Sequence, residues 1–229
     1  MQNHKLTLVF IISSLCLTSF FAHAQGEETK SKDKSKKLDV FFEPLFLLNK
    51  AIKLDVEYQL KNPKLSVIGG FEIYNGPTNS LYDDVNSTGE PIKDIINGYG
   101  INLGSKFKLG KPKTNGNFYV SPGLTYRSLD LKISGPMYYT FMENGLEYIT
   151  YGNAEQKFHI NSVLIYGKVG YSYSISNLLI FDVYGGIGYK TATNLPNLKL
   201  ERSYDNNVYG YNYKGLLPLA GAKIGFRIL

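Results

Sequence analysis

The chain has 229 residues, a formal net charge of +6, one cysteine, no tryptophan, 19 tyrosines and 23 glycines. One cysteine excludes a disulfide framework, so an exported form is held by its own core or by its surroundings. Past residue 24 no apolar run approaches the ~20 residues with which a helix crosses a bilayer, which excludes a helical membrane protein.

Residues 1–24 read as a secretory signal. Lys5 supplies the positive start, Leu6 to Phe21 the apolar stretch, and Ala22-His23-Ala24 a small-x-small cleavage site before Gln25. The cysteine, Cys16, lies inside it. A lipoprotein site there is disfavoured because Leu15 is bulky where that cleavage prefers a small residue. Residues 25–38 form a basic polar linker, with Lys30, Lys32, Lys34, Lys36 and Lys37 interleaved with Ser31, Asp33 and Ser35. Such a run is a solvated stretch. Headgroup binding is its alternative, and no nucleic-acid partner is expected.

From residue 39 to 229 the apolar residues recur at every second position, the period of a strand with two unlike faces. Ala51–Leu60 is the cleanest case: Ile52, Leu54, Val56, Tyr58 and Leu60 share one face, Lys53, Asp55, Glu57 and Gln59 the other. Eight such segments follow in order: Asp39–Leu48, Ala51–Leu60, Leu65–Tyr74, Gly98–Leu109, Asn117–Leu131, Phe158–Ser174, Leu178–Ala192 and Gly215–Leu229. The first is irregular, nearly continuous in apolar residues and interrupted by Pro44, which donates no ladder hydrogen bond.

Short connections at Lys61–Lys64, Gly110–Gly116 and Ser174–Asn177 alternate with long ones of 23, 26 and 22 residues after Tyr74, Leu131 and Ala192. An outer-membrane barrel has this asymmetry, with tight periplasmic turns and tall extracellular loops. Asn49-Lys50 is the exception, an external connection of two residues.

The face opposite the apolar one mixes glycines with charges, as in Gly100, Asn102, Gly104, Lys106 and Lys108. This predicts an all-β, eight-stranded antiparallel up-and-down transmembrane barrel with its apolar side chains outward. Inside, Glu43, Asp55, Glu57, Glu72 and Asp182 are expected to pair with Lys53, Lys106, Arg127, Lys168, Lys223 and Arg227, plugging a bore that holds little beyond side chains. Tyr99, Tyr126 and Tyr189 are expected in an outer aromatic girdle. Tyr58, Phe107, Phe118, Tyr171, Tyr173 and Phe226 are expected in an inner one.

Three stretches carry a family resemblance: Ile52-Lys-Leu-Asp-Val-Glu-Tyr58 with Asn62-Pro-Lys64, Tyr119-Val-Ser-Pro-Gly-Leu-Thr-Tyr126, and the ending Gly221-Ala-Lys-Ile-Gly-Phe-Arg-Ile-Leu229. On them the chain resembles the small outer-membrane barrels of the OmpA/OmpX/OmpW-like group, in the form common in Bacteroidota. The resemblance implies an outer-membrane location in a Gram-negative cell envelope and a monomer surrounded by lipid. Its ending looks like the signal read by the barrel-insertion machinery, although Phe226 is internal and Leu229 is last.

Catalytic chemistry finds little support in the sequence. His159 is the one histidine past the signal, too few for a zinc site. Ser162, the nearest serine, falls on the opposite strand face, and Asn161 on the same face is no nucleophile. Gly185-Gly186-Ile187-Gly188 lies mid-strand with no following helix, so it is no phosphate loop. No catalytic, metal or cofactor residue is assigned. The expected function is non-enzymatic, in envelope structure or surface contacts, with a small-molecule channel or a lipid-modifying enzyme as alternatives. Tyr138, Tyr139 and Phe141 in the third external loop, and Tyr209, Tyr211 and Tyr213 in the last, are candidate contacts for an extracellular protein or glycan. Packing of the loops against one another is the competing role. The alternation of the last three suggests that the final two strands continue as a hairpin.

Overall fold

The computed structural model describes residues 38–78, 94–110, 116–193 and 210–228, with the side chains of residues 136 and 137 excepted. The signal, residues 25–37 of the linker, Tyr209 and Leu229 lie outside these residues, and Leu38, placed at the end of the linker from sequence, opens the first strand. The strands are β1 (Leu38–Phe42), β2 (Ala51–Gln59), β3 (Leu65–Thr78), β4 (Asp94–Leu109), β5 (Gly116–Glu143), β6 (Leu146–Ser174), β7 (Leu179–Ala192) and β8 (Gly215–Arg227). Each pairs antiparallel with the next, and β8 returns to β1 through Asp39↔Arg227 to Phe42↔Ile224. The barrel is closed, so every strand in it has a neighbour on both sides, as a bilayer demands of backbone polar groups.

The faces are the reverse of a soluble barrel. On β2, Ile52, Leu54 and Val56 are 49, 46 and 41% exposed, while Lys53, Asp55 and Glu57 between them are 3, 2 and 3% exposed. Phe71, Ile101, Leu103, Phe118, Val169, Ile187 and Phe226 continue the outward apolar band. On β6 the band runs from Tyr173 to Val163. Ten rises of about 3.3 Å at a tilt of about 40° project to roughly 25 Å, the height of the lipid-facing belt of such barrels. A cylinder with an apolar outside and an ionised inside is a protein of a lipid bilayer. Up-and-down barrels of this kind reside in the bacterial outer membrane.

Several expectations need correction. The segment Asp39–Leu48 is strand only to Phe42; Pro44–Asn49 is a 3-10 helix, closed by Lys50 in the left-handed region. Pro44 has no N–H to give the ladder, so pairing stops before it. The two-residue Asn49-Lys50 connection is therefore part of a longer folded cap, from which Phe46 packs toward the interior.

The third external loop is no loop. β5 and β6 run on through it in unbroken register, from Leu131↔Phe158 to Glu143↔Leu146. They turn at Asn144 (φ 51°) and Gly145 (φ 79°), a pair suited to the left-handed conformation a tight hairpin requires. Among the described residues the hairpin expected from the last two strands is not seen: β7 stops at Ala192, and residues 210–214, with Tyr211 and Tyr213, are not strand.

Above the belt the two faces exchange character. On β5 the outward series passes from Leu124 and Tyr126 to Ser128, Asp130 and Lys132, while the inward series passes from Thr125 and Arg127 to Leu129, Leu131 and Ile133. Leu129, Leu131, Ile133, Ile96, Phe158 and Ile160 form a buried apolar cluster there with Ala51 and Tyr74. The barrel is thus membrane-like below this level and soluble-like above it.

Candidate functional site

Within the belt the bore is filled by ion pairs. Lys106 Nζ lies 2.6 Å from Glu57 and 2.9 Å from Asp182, tying β4 to β2 and β7. Lys53 lies 3.1 Å from Glu43 and 3.8 Å from Glu72, and Arg127 Nε donates to Glu72 at 2.7 Å. Lys223 pairs with Asp55 at 2.5 Å, and Arg227 with Asp39 at 3.0 Å near the inner mouth. Hydroxyls and amides complete the network: Tyr119 donates to Asp182, Tyr184 to Glu43 and Asn102 to Asp55.

Lys168 departs from the expected pairing. Among the described residues it has no ion-pair partner, and its ammonium instead lies 4.3 Å from the centroids of both the Tyr166 and Tyr184 rings. Asp39, Asn102, Tyr119, Tyr166 and Tyr184 belong to the network and were not singled out from sequence. Their inward parity was visible, but partner choice across a bore depends on strand register.

Three inward tyrosine rings each lie over the glycine opposite them on the adjacent strand. A Cβ on Gly123 would meet the Tyr166 hydroxyl, one on Gly170 that of Tyr119, and one on Gly221 that of Tyr184. The glycines therefore make room for the aromatic part of the plug. Above the ion pairs a cavity of about 290 Å³ remains, bordered by Lys53, Arg127, Lys168 and Lys190 and roofed by Phe46 and Tyr211. Lys190 donates to the Tyr211 carbonyl at 2.8 Å, and the Tyr211 ring meets Tyr74 edge-on at 6.4 Å. Burial pushes the Tyr211 phenol up to about 12. Tyr213 donates to the Leu216 carbonyl at 2.9 Å. Both residues stabilise the roof of the barrel.

The candidate contacts in the third loop stand on the β5–β6 hairpin. Tyr138 faces Tyr151 with centroids 5.0 Å apart, and Phe141 stacks on Tyr148 at 5.5 Å. Alternation puts Tyr138, Met142, Ile149 and Tyr151 on one side of the ribbon and Tyr139, Phe141 and Tyr148 on the other. All seven are exposed. The cross-strand rings stabilise a two-stranded ribbon that is marginal alone.

At the foot of the hairpin, outside the barrel, lies a polar constellation that sequence reasoning missed. His159 Nδ1 is 2.7 Å from Asp130 Oδ1, and His159 Nε2 is 3.4 Å from Ser128 Oγ. Ser162 does point inward, as expected from its parity. Its replacement comes from the neighbouring strand, because register sets Asp130 opposite His159 and Ser128 opposite Asn161. The Tyr126 hydroxyl donates to Asn161 Oδ1 at 2.9 Å.

No family model matches the chain, and no curated protein does. Among solved structures, the N-terminal β-barrel domain of Pseudomonas aeruginosa OprF is 13% identical, covering 84% of this chain and 96% of its own, with a TM-score of 0.38. Acinetobacter baumannii CarO is 12% identical over 86% and 99%, with a TM-score of 0.40. Ail, the attachment invasion locus protein of Yersinia pestis, is 11% identical over 84% and 97%, with a TM-score of 0.37. Likenesses this distant carry no argument about function. The assignment to a bilayer rests on the reversed faces of the barrel.

Proposed function

We propose that the protein is an envelope surface protein whose plugged barrel anchors the β5–β6 hairpin for contacts with an extracellular protein. The observation that carries this reading is the hairpin itself. Seven large apolar or aromatic side chains cover both of its sides. Exposed apolar surface of this kind belongs to interaction sites, and tyrosines make contacts at low entropic cost. Among the described residues no strand pairs with the outer edges of the ribbon, to which a partner's strand can add. That backbone edge favours a protein over a glycan. Barrel insertion and lipid contact are the role of the belt below, and the contact function uses no catalytic group.

The ion pairs in the bore argue against a channel, since Lys106 on β4 reaches Asp182 on β7 across it and Lys223 on β8 reaches past β1 to Asp55 on β2. Two measurements test the reading. Cells displaying the full chain should adhere to immobilised extracellular matrix proteins, and cells displaying a chain with residues 136–152 replaced by a short turn should not. Equal adhesion by the two would refute it. Steady conductance of the purified barrel in planar bilayers, above that of bare membrane, would favour transport instead.

A further inference from the structure

The outward face of the β5–β6 ladder climbs out of the membrane in an ordered series of rungs. Tyr126 stands opposite Val163, Ser128 opposite Asn161, Asp130 opposite His159, and Lys132 opposite Lys157. Tyr126 shares the outer tyrosine belt with Tyr99 and Tyr189, all exposed to the surroundings of the barrel. Tyrosine belts mark the headgroup level of a bilayer. The rung above Tyr126 therefore lies where hydrocarbon gives way to headgroups, the depth of the acyl carbonyls of lipids. Two rungs higher, Lys132 and Lys157 bring cations to the level of lipid phosphates.

We propose that Ser128, His159 and Asp130 form a hydrolase site for the ester-linked acyl chains of phosphorylated lipids in the outer leaflet. This goes beyond the contact role: it acts on the membrane's own lipid, at the foot of the hairpin rather than along it. The Asp130 carboxylate only accepts hydrogen bonds, so the His159 Nδ1 at 2.7 Å carries the proton that joins them. Nε2 is then the acceptor for the Ser128 hydroxyl at 3.4 Å. That separation is long for a hydrogen bond, and such contacts tighten when substrate binds. Nucleophile, base and orienting carboxylate thus stand in the sequence acyl transfer requires. Tyr126 occupies Asn161 Oδ1, which leaves the Asn161 amide nitrogen as a donor in the same rung as Ser128, placed for an oxyanion.

The step balances within the site. Ser128 Oγ attacks the acyl carbonyl as its proton passes to His159 Nε2. The tetrahedral centre collapses, the ester C–O bond breaks, and the lipid alkoxide leaves with that proton. Water, deprotonated by the same imidazole, attacks the Ser128 acyl ester; its C–Oγ bond breaks, the imidazolium returns the proton to Ser128 Oγ, and a fatty acid is released. Val163 and Tyr126 below form the wall along which the acyl chain lies. Lys132 and Lys157 above hold the phosphate, although Glu155 already pairs with Lys132 at 2.6 Å and must share it.

The test uses the full chain in detergent mixed micelles with two substrates, a diacyl phosphatidylglycerol and lipid A. Mass spectrometry reads the released fatty acid, and an alkyl fluorophosphonate reads the reactive serine. The expected result is fatty acid release from at least one substrate, with Ser128 labelled. Ser128→Ala or His159→Ala should lower release by roughly a thousandfold or more, and Asp130→Asn by roughly ten- to a hundredfold. The milder Asp130 effect follows from its 71% exposed side chain, which lets water replace the carboxylate. Lys132→Ala with Lys157→Ala should raise KM and leave kcat. Which lipid is cleaved identifies the source of the acyl chain. Release no greater than that of Ser128→Ala from both lipids overturns the proposal, and so does a label that maps elsewhere while lipid is cleaved. Heat-dependent gel mobility verifies the barrel in each variant, so loss of activity is separable from loss of fold.

Discussion

Replacing Lys106 by methionine removes the cation that ties Glu57 on β2 and Asp182 on β7 to β4. Methionine keeps the contact with the Phe41 and Tyr119 rings, which lie 5.0 and 4.5 Å from the Lys106 ammonium. The change therefore tests charge more than packing. Breaking a buried ion pair from one side costs about 3–5 kcal/mol, because the partner stays buried and uncompensated. Two carboxylates lose their partner here, but neither is stripped bare. Lys108 remains 3.7 Å from Glu57, and the Tyr119 hydroxyl still donates to Asp182. The expected loss therefore stays near the value for one pair, about 3–5 kcal/mol. Urea unfolding in lipid vesicles, followed by far-ultraviolet circular dichroism and gel mobility, measures it. Removing all three charges (Lys106→Met, Glu57→Gln, Asp182→Asn) should recover stability to within about 1–2 kcal/mol of the wild type, since the one cation that loses a partner, Lys108, is partly exposed to solvent. An unchanged midpoint for the single variant would refute the reasoning. A triple variant as weak as the single would show that shape, not charge, holds the bore.

Gly221→Ala should destabilise the barrel by about 1–3 kcal/mol, because the new methyl displaces the Tyr184 hydroxyl and Glu43 Oε1, whereas Gly69→Ala has open space and serves as control. Equal unfolding midpoints for the two would sink the tyrosine-over-glycine account. Replacing residues 136–152 by a short turn should leave the unfolding free energy within about 1 kcal/mol, as a two-stranded ribbon contributes little alone. A larger fall in the same urea titration would mean that the ribbon supports the barrel. For Tyr211, whose phenol is raised to about 12, the buried neutral form contributes stability that is complete below about pH 10 and fades as pH rises through 12. The tyrosinate absorbance titration of Tyr211→Phe should lack one phenol near pH 12 that the wild type has; loss of a step near pH 10 would place Tyr211 in water.

Period-2 alternation was enough to place seven of the eight strands, because a strand between lipid and a polar bore must repeat its two chemistries at every second residue. Pro44 marked where β1 is cut short. The exchange of faces on β5 was also written in Tyr126-Arg-Ser-Leu-Asp-Leu-Lys-Ile133, where the apolar parity shifts at Leu129. It went unread because the alternation itself continues, and only its phase changes. The hairpin was hidden for the same reason, since residues 132–143 and 146–157 remain strand after leaving the membrane.

What the sequence determined by itself was local: which side chains share a face, where the chain turns, and that one face suits lipid while the other suits a charged interior. What the closed barrel decided was pairing between residues far apart in the chain. Lys106 meets Asp182, and Ser128 and Asp130 meet His159, through the registers of β4 to β7 and the curvature that brings opposite walls together. A two-residue slip between β5 and β6 would preserve every alternation and part Ser128 and Asp130 from His159, and slips elsewhere between β4 and β7 would part Lys106 from Asp182, which is why neither the bore network nor the rim constellation could be assembled from periodicity.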